Sequence, residues 1–84
     1  MAGYTLHPQV GLRPERFGAL AYHFGNRRLT FLNDDLLVAT VRSEALRVDV
    51  DEALVAAGVP EGRRPSYKVA LARLAEAEVL VACD

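Results

Sequence analysis

His7, His23 and Cys83 are the side chains of this 84-residue chain best suited to acid–base, nucleophilic or zinc chemistry. Their spacing does not assemble a centre. His7 and His23 lack the second His or Cys at ligand distance that zinc needs, and Cys83 stands alone at the C-terminal end. No glycine-rich phosphate loop follows a strand, and no cysteine run could hold an iron–sulfur cluster. The chain therefore reads as a non-enzyme without metal or cofactor. What remains is recognition chemistry. Arg27, Arg28, Arg63, Arg64 and Lys68 can bind carboxylates, and with Thr30 they would make a basic wall for an extended acidic peptide. The plainer reading of Arg27 and Arg28 is that charges on an edge strand keep sheets from pairing with one another.

Composition narrows the field. A net charge of −1 with 51% hydrophobic residues describes an ordinary folded domain. It lacks the basic excess that draws a protein to nucleic acid or anionic lipid. Length allows one domain, residues 1–84. With one cysteine, no signal-like N-terminus and no apolar run long enough to span a bilayer, the expected setting is the cytoplasm.

The elements that must position these groups follow from periodicity. Thr5-Leu6-His7 and Val10 to Arg13 are short extended pieces, each stopped by a proline. From Gly18 to Phe24 the chain alternates, with Leu20, Tyr22 and Phe24 on one face and Ala19, Ala21 and His23 on the other. His23 is accordingly expected to be partly exposed. Gly25-Asn26 marks a tight turn with positive φ at one of the two. Across it Arg28 to Leu32 alternates again, with Leu29 and Phe31 sharing a face. Phe31 is expected to matter for folding.

Asn33 is the expected cap of a helix from Asp34 to Ser43. Asp49 and Glu52 have the spacing of a capping box for a second helix that stops at Gly58. A third opens at Pro65 or Ser66 and ends near Ala77 or Glu78, with Tyr67, Leu71, Leu74 and Ala75 along one stripe. That stripe serves either as core or as the wall of a ligand groove. Val79 to Ala82 either finishes this helix or adds a short strand. The fold class is α+β, a three-stranded antiparallel sheet followed by three helices.

These residues carry a resemblance. Leu6-His7-Pro8-Gln9-Val10, Leu12-Arg13-Pro14-Glu15, Phe17-Gly18-Ala19-Leu20, Tyr22-His23-Phe24-Gly25, Arg28-Leu29 and Phe31-Leu32 resemble the precursor-recognition modules similar to pyrroloquinoline-quinone biosynthesis protein D. They come closest to the branch of mycofactocin-system peptide chaperones. The likeness is good from Tyr4 to Asp34 and weaker over the helices, where Ala56-Ala57-Gly58-Val59, Tyr67 and Leu71 to Leu74 carry it. It implies a winged-helix-like fold that catalyses nothing. Such a module binds the leader of a ribosomally made precursor peptide by strand addition and presents it to a radical S-adenosylmethionine maturase, which holds the iron–sulfur clusters. Carried onto this chain, the peptide-binding residues are Arg28, Leu29, Thr30, Phe31 and Leu32 on the third strand. On the third helix they are Tyr67, Lys68, Leu71, Arg73, Leu74 and Ala75.

The rival from another class is a small winged-helix nucleic-acid-binding domain. Lys68 and Arg73 set against Glu76 and Glu78 make a poor recognition face. A third reading is a dimerisation module that pairs through the same strand edge.

Overall fold

The structure is a computed structural model that describes residues 3–83. It is α+β, with an antiparallel sheet near the N-terminus followed by three helices. Strand β1 (Tyr4–Leu6) is separated by a turn at Pro8-Gln9 from β2 (Val10–Glu15), β3 (Gly18–His23) and β4 (Leu29–Leu32). Helices α1 (Asp35–Arg42), α2 (Val50–Ala56) and α3 (Arg64–Glu76) follow, and β5 (Leu80–Ala82) closes the described chain. The β2-β3-β4 meander is one sheet, while β1 pairs with β5 in a separate two-stranded one. The Val79 to Ala82 tail is thus a strand in its last three residues, with Val79 and Leu80 buried.

Local chemistry explains the joints. A two-residue loop, Arg16-Phe17, links β2 to β3, and Gly18 leaves it at φ 131°. A Cβ there would stand 1.8 Å from the Leu32 carbonyl oxygen, so no other residue fits. Asp34, not Asn33, caps α1: its Oδ1 accepts from the N–H groups of Leu36 and Leu37 at 2.9 and 3.2 Å. Asn33 lies one residue too early for its side chain to reach those donors. Asp49 caps α2 in the same way, accepting from Asp51 and Glu52.

Helices α2 and α3 end alike. After each, the second residue beyond the last turn adopts positive φ, Gly58 at 83° and Glu78 at 64°. The next N–H returns to the helix, Val59 to the Leu54 carbonyl and Val79 to that of Leu74, both at 2.9 Å.

The sheet faces the opposite way from the one its bulk implies. Ala19, Ala21 and Leu32 are buried against α1, and His23 is only 5% exposed. Phe24, Leu29 and Phe31 stand on the outer side, Tyr22 beside them. Small alanines let the helix approach the sheet closely, which larger side chains would prevent. His23 is therefore a buried residue. Its Nδ1 accepts from the N–H groups of Gly25 and Asn26 at 3.0 and 3.1 Å, and its ring lies 4.4 Å from that of His7. In this way it shapes the β3–β4 turn, where positive φ falls on Arg27 (61°) and not on Gly25 or Asn26. The four-residue loop needs its left-handed residue last, just before the ladder resumes with the bond from the His23 N–H to the Arg28 carbonyl.

The core gathers Leu32 from the sheet, Leu46, Leu54, Leu71 and Leu74 from the helical part and Leu80 from β5. At 34 × 32 × 19 Å the molecule is two layers thick, sheets against helices.

Candidate functional site: the free edge of β4

Antiparallel pairing alternates, so each residue of β4 bonds either inward to β3 or outward. The bond from the His23 N–H to the Arg28 carbonyl sets the phase. With Ala21 opposite Thr30 and Ala19 opposite Leu32, these residues bond inward. Leu29 and Phe31 therefore aim their N–H and C=O groups away from β3, where no described residue takes them.

The opposite edge of the sheet is blunted. On β2 the outward residues are Val10, Leu12 and Pro14. Pro14 has no N–H, and that of Val10 is spent on the His7 carbonyl at 2.9 Å. A guest strand would find one free donor on β2 and two, correctly spaced, on β4.

Helix α3 is tied to the residues that flank β4 on either side. At one end the Tyr67 hydroxyl donates to Asp34 Oδ2 at 2.5 Å, and the Arg63 guanidinium donates to the Tyr67 oxygen at 3.2 Å while standing 3.7 Å from Asp34. At the other the Asn26 amide donates to Glu78 Oε2 at 3.0 Å. The helix, about 20 Å long at 1.5 Å per residue, runs antiparallel to the strand between these ties. Asp34 feels opposing influences. Burial works against its charge, but the Tyr67 hydroxyl, the Leu37 and Leu36 N–H groups and Arg63 together hold the carboxyl below its ordinary 3.8. Tyr67 is pushed up from 10.0, by burial first and then by its bond to the Asp34 carboxylate.

The sequence-derived residues separate into four sets. Arg28, Leu29, Thr30 and Phe31 lie along the edge, with Leu29 61% and Phe31 54% exposed. Leu32, Tyr67, Leu71 and Leu74 belong to the core, so their stripe is packing surface. Phe31 is not a core residue, because it points to the outer face. Lys68 is turned toward α2, with Nζ 2.7 Å from Asp51 Oδ1, and Ala75 stands at the same helical angle. That contact, first through the hydrogen bond, holds the Asp51 carboxyl below its ordinary value. Arg73 is exposed on the other side of the helix.

Two residues absent from the sequence-derived set share the strip of α3 on the side away from α2. Ala70, and Ala77 at the cap just past the helix, three and ten residues after Tyr67, are half-buried there. Their small side chains gave no signal in the sequence beyond spacing. The basic wall is thinner than its residues imply, since Arg63 and Lys68 face carboxylates and Arg64 Nε donates to the Val59 carbonyl at 3.3 Å. Arg27 and Arg28 remain exposed at the turn. Among the described residues no group of three or more His, Cys, Asp or Glu could hold a metal ion, and no helix is long and apolar enough to cross a membrane.

Comparison with known proteins gives the family. No solved structure matches the chain. A peptide chaperone MftB of Mycobacterium ulcerans is 49% identical over 79 residues, 94% of this chain and 72% of that protein. Those of Mycobacterium tuberculosis and Mycolicibacterium smegmatis are each 46% identical, over 94% and 93% of this chain and 72% and 76% of their own lengths. These relatives are named for a role that involves no catalysis. The model of the peptide chaperone MftB family matches residues 3–81. With nearly the whole chain aligned, this protein belongs to the peptide chaperone MftB family.

Proposed function

We propose that this protein is a peptide chaperone that binds the leader of a ribosomally made precursor as an added strand on β4 and presents it to a radical S-adenosylmethionine maturase. The observation that carries the reading is the outward pair of N–H and C=O groups on Leu29 and Phe31, on an unblunted edge beside α3. Backbone bonding of this kind accepts many sequences and leaves selectivity to the side chains that flank it. Family membership supports the peptide, and the mycofactocin-type resemblance supports the maturase as recipient. The scattered pairing of Arg63 and Lys68 with carboxylates speaks against a phosphate-binding face.

The test is a titration of 15N-labelled protein with a synthetic leader from the precursor encoded beside its gene, read by amide shifts and hydrogen exchange. We expect the Leu29 and Phe31 amides to shift and gain protection. Thr30 and Leu32, already bonded into the sheet, gain little. Ala70, Arg73 and Ala77 shift with them. Binding with protection on β2 or β5 instead would overturn the placement, and no shifts at high excess would overturn the reading itself.

A further inference from the structure

The outer face of the β2-β3-β4 sheet is apolar where a one-sided antiparallel sheet ordinarily turns polar residues to water. Leu20, Tyr22, Phe24, Leu29 and Phe31 alternate onto it, with Tyr22 and Phe24 in edge-to-face contact at 4.8 Å. Among the described residues its charges are Arg13 and Glu15, which sit on β2, across β3 from β4, and pair with each other at 3.4 Å. Gly11 lies opposite Tyr22, and the missing side chain leaves a shallow cleft of ≈ 630 Å³ walled by Arg13, Leu20, Tyr22, Phe24 and Leu29.

Register decides what can reach this face. In an added antiparallel strand the residues bonded to Leu29 and Phe31 are directly opposite them, and directly opposite residues share a side of the sheet. We infer that the outer face is the specificity surface of the same peptide site: it selects a guest with apolar side chains at two positions, i and i+2, which pack on Leu29 and Phe31. The inference rests on the proposed strand addition at β4. The guest residue between them, opposite Thr30, points to the inner side and toward Ala70 and Ala77 of α3. Continuity of Leu29 and Phe31 between edge and face makes the peptide the occupant, because no guest can bond to this edge without placing alternate side chains there.

The experiment uses the synthetic leader of the titration above and its single-serine scan, with fluorescence anisotropy as readout. Leu29→Thr/Phe31→Thr keeps strand propensity, and both residues are more than half exposed, so the fold is retained and checked by circular dichroism. Expected are a loss of about 2- to 30-fold in affinity for the double variant, as two cross-strand apolar contacts allow. Two leader positions, two residues apart, show comparable losses with wild-type protein. Intermolecular nuclear Overhauser contacts join the Leu29 methyls and Phe31 ring to those same two side chains. Val55→Thr, on the exposed side of α2, is the unchanged control. If the wild-type amides of β4 shift but affinity survives the double variant and the contacts run only to Ala70 and Ala77, the outer-face inference fails while strand addition stands. Absence of any β4 shift defeats strand addition, and the inference with it.

Discussion

Asp34 does three things at once: it caps α1, accepts from Tyr67 and faces Arg63. Asp34→Ala removes the cap and leaves the Tyr67 hydroxyl without its acceptor, which we expect to cost about 1–3 kcal/mol in urea unfolding. Asp34→Asn keeps the cap and should cost less. The acid limb separates charge from capping. Because the folded carboxyl lies below its ordinary 3.8, its stabilisation is present above that value and is lost as pH falls through the folded one. Stability of the wild type should therefore fall more steeply below about pH 4 than that of Asp34→Asn, as thermal melts would show. Equal slopes would refute the assignment. His23 teaches a different lesson at this scale. Its alternation with Ala19 and Ala21 was visible, but which side faces α1 depends on alanine size and helix approach, not on hydrophobicity alone.

At the scale of elements, the matched ends of α2 and α3 differ in one residue. Gly58 takes its left-handed conformation without strain, and an added Cβ would meet nothing within 4 Å. Gly58→Ala should thus lose about 1 kcal/mol purely through the backbone. Glu78 holds the same conformation as an ordinary L-residue, so Glu78→Gly should gain up to about 1 kcal/mol, less the exposed bond from Asn26. Chemical denaturation of both variants checks the pair, and a destabilised Glu78→Gly would mean that the Asn26 tie outweighs the strain. The stop at Gly58 was legible, since glycine before Val59-Pro60 is a sequence signal. The end of α3 near Ala77 or Glu78 was expected as well, but not the fate of the residues after it: they form a strand because Val79 and Leu80 are drawn into the core and Leu80 onto β1.

For the whole molecule, the distinction between core and site becomes measurable. Leu71 is fully buried at the junction of α3 with the core, so Leu71→Ala should cost about 2–5 kcal/mol. Phe31→Ser should cost far less, because its ring is 54% exposed. Comparable losses in denaturant midpoint would place Phe31 in the core and undo the outer face. From the amino-acid order alone came the α+β class, the hairpin, the Asp49 cap of α2 and the candidate strand Arg28 to Leu32, all of which depend on contacts within a few residues. The sequence also carried the family resemblance. Tertiary structure alone decided which sheet face is buried, that Lys68 turns to Asp51, that Pro14 blunts one edge while β4 stays open, and that α3 is tied alongside it at Asn26 and Asp34. Those outcomes depend on pairing between distant segments, where packing of the whole core selects one arrangement among several that local preference permits equally.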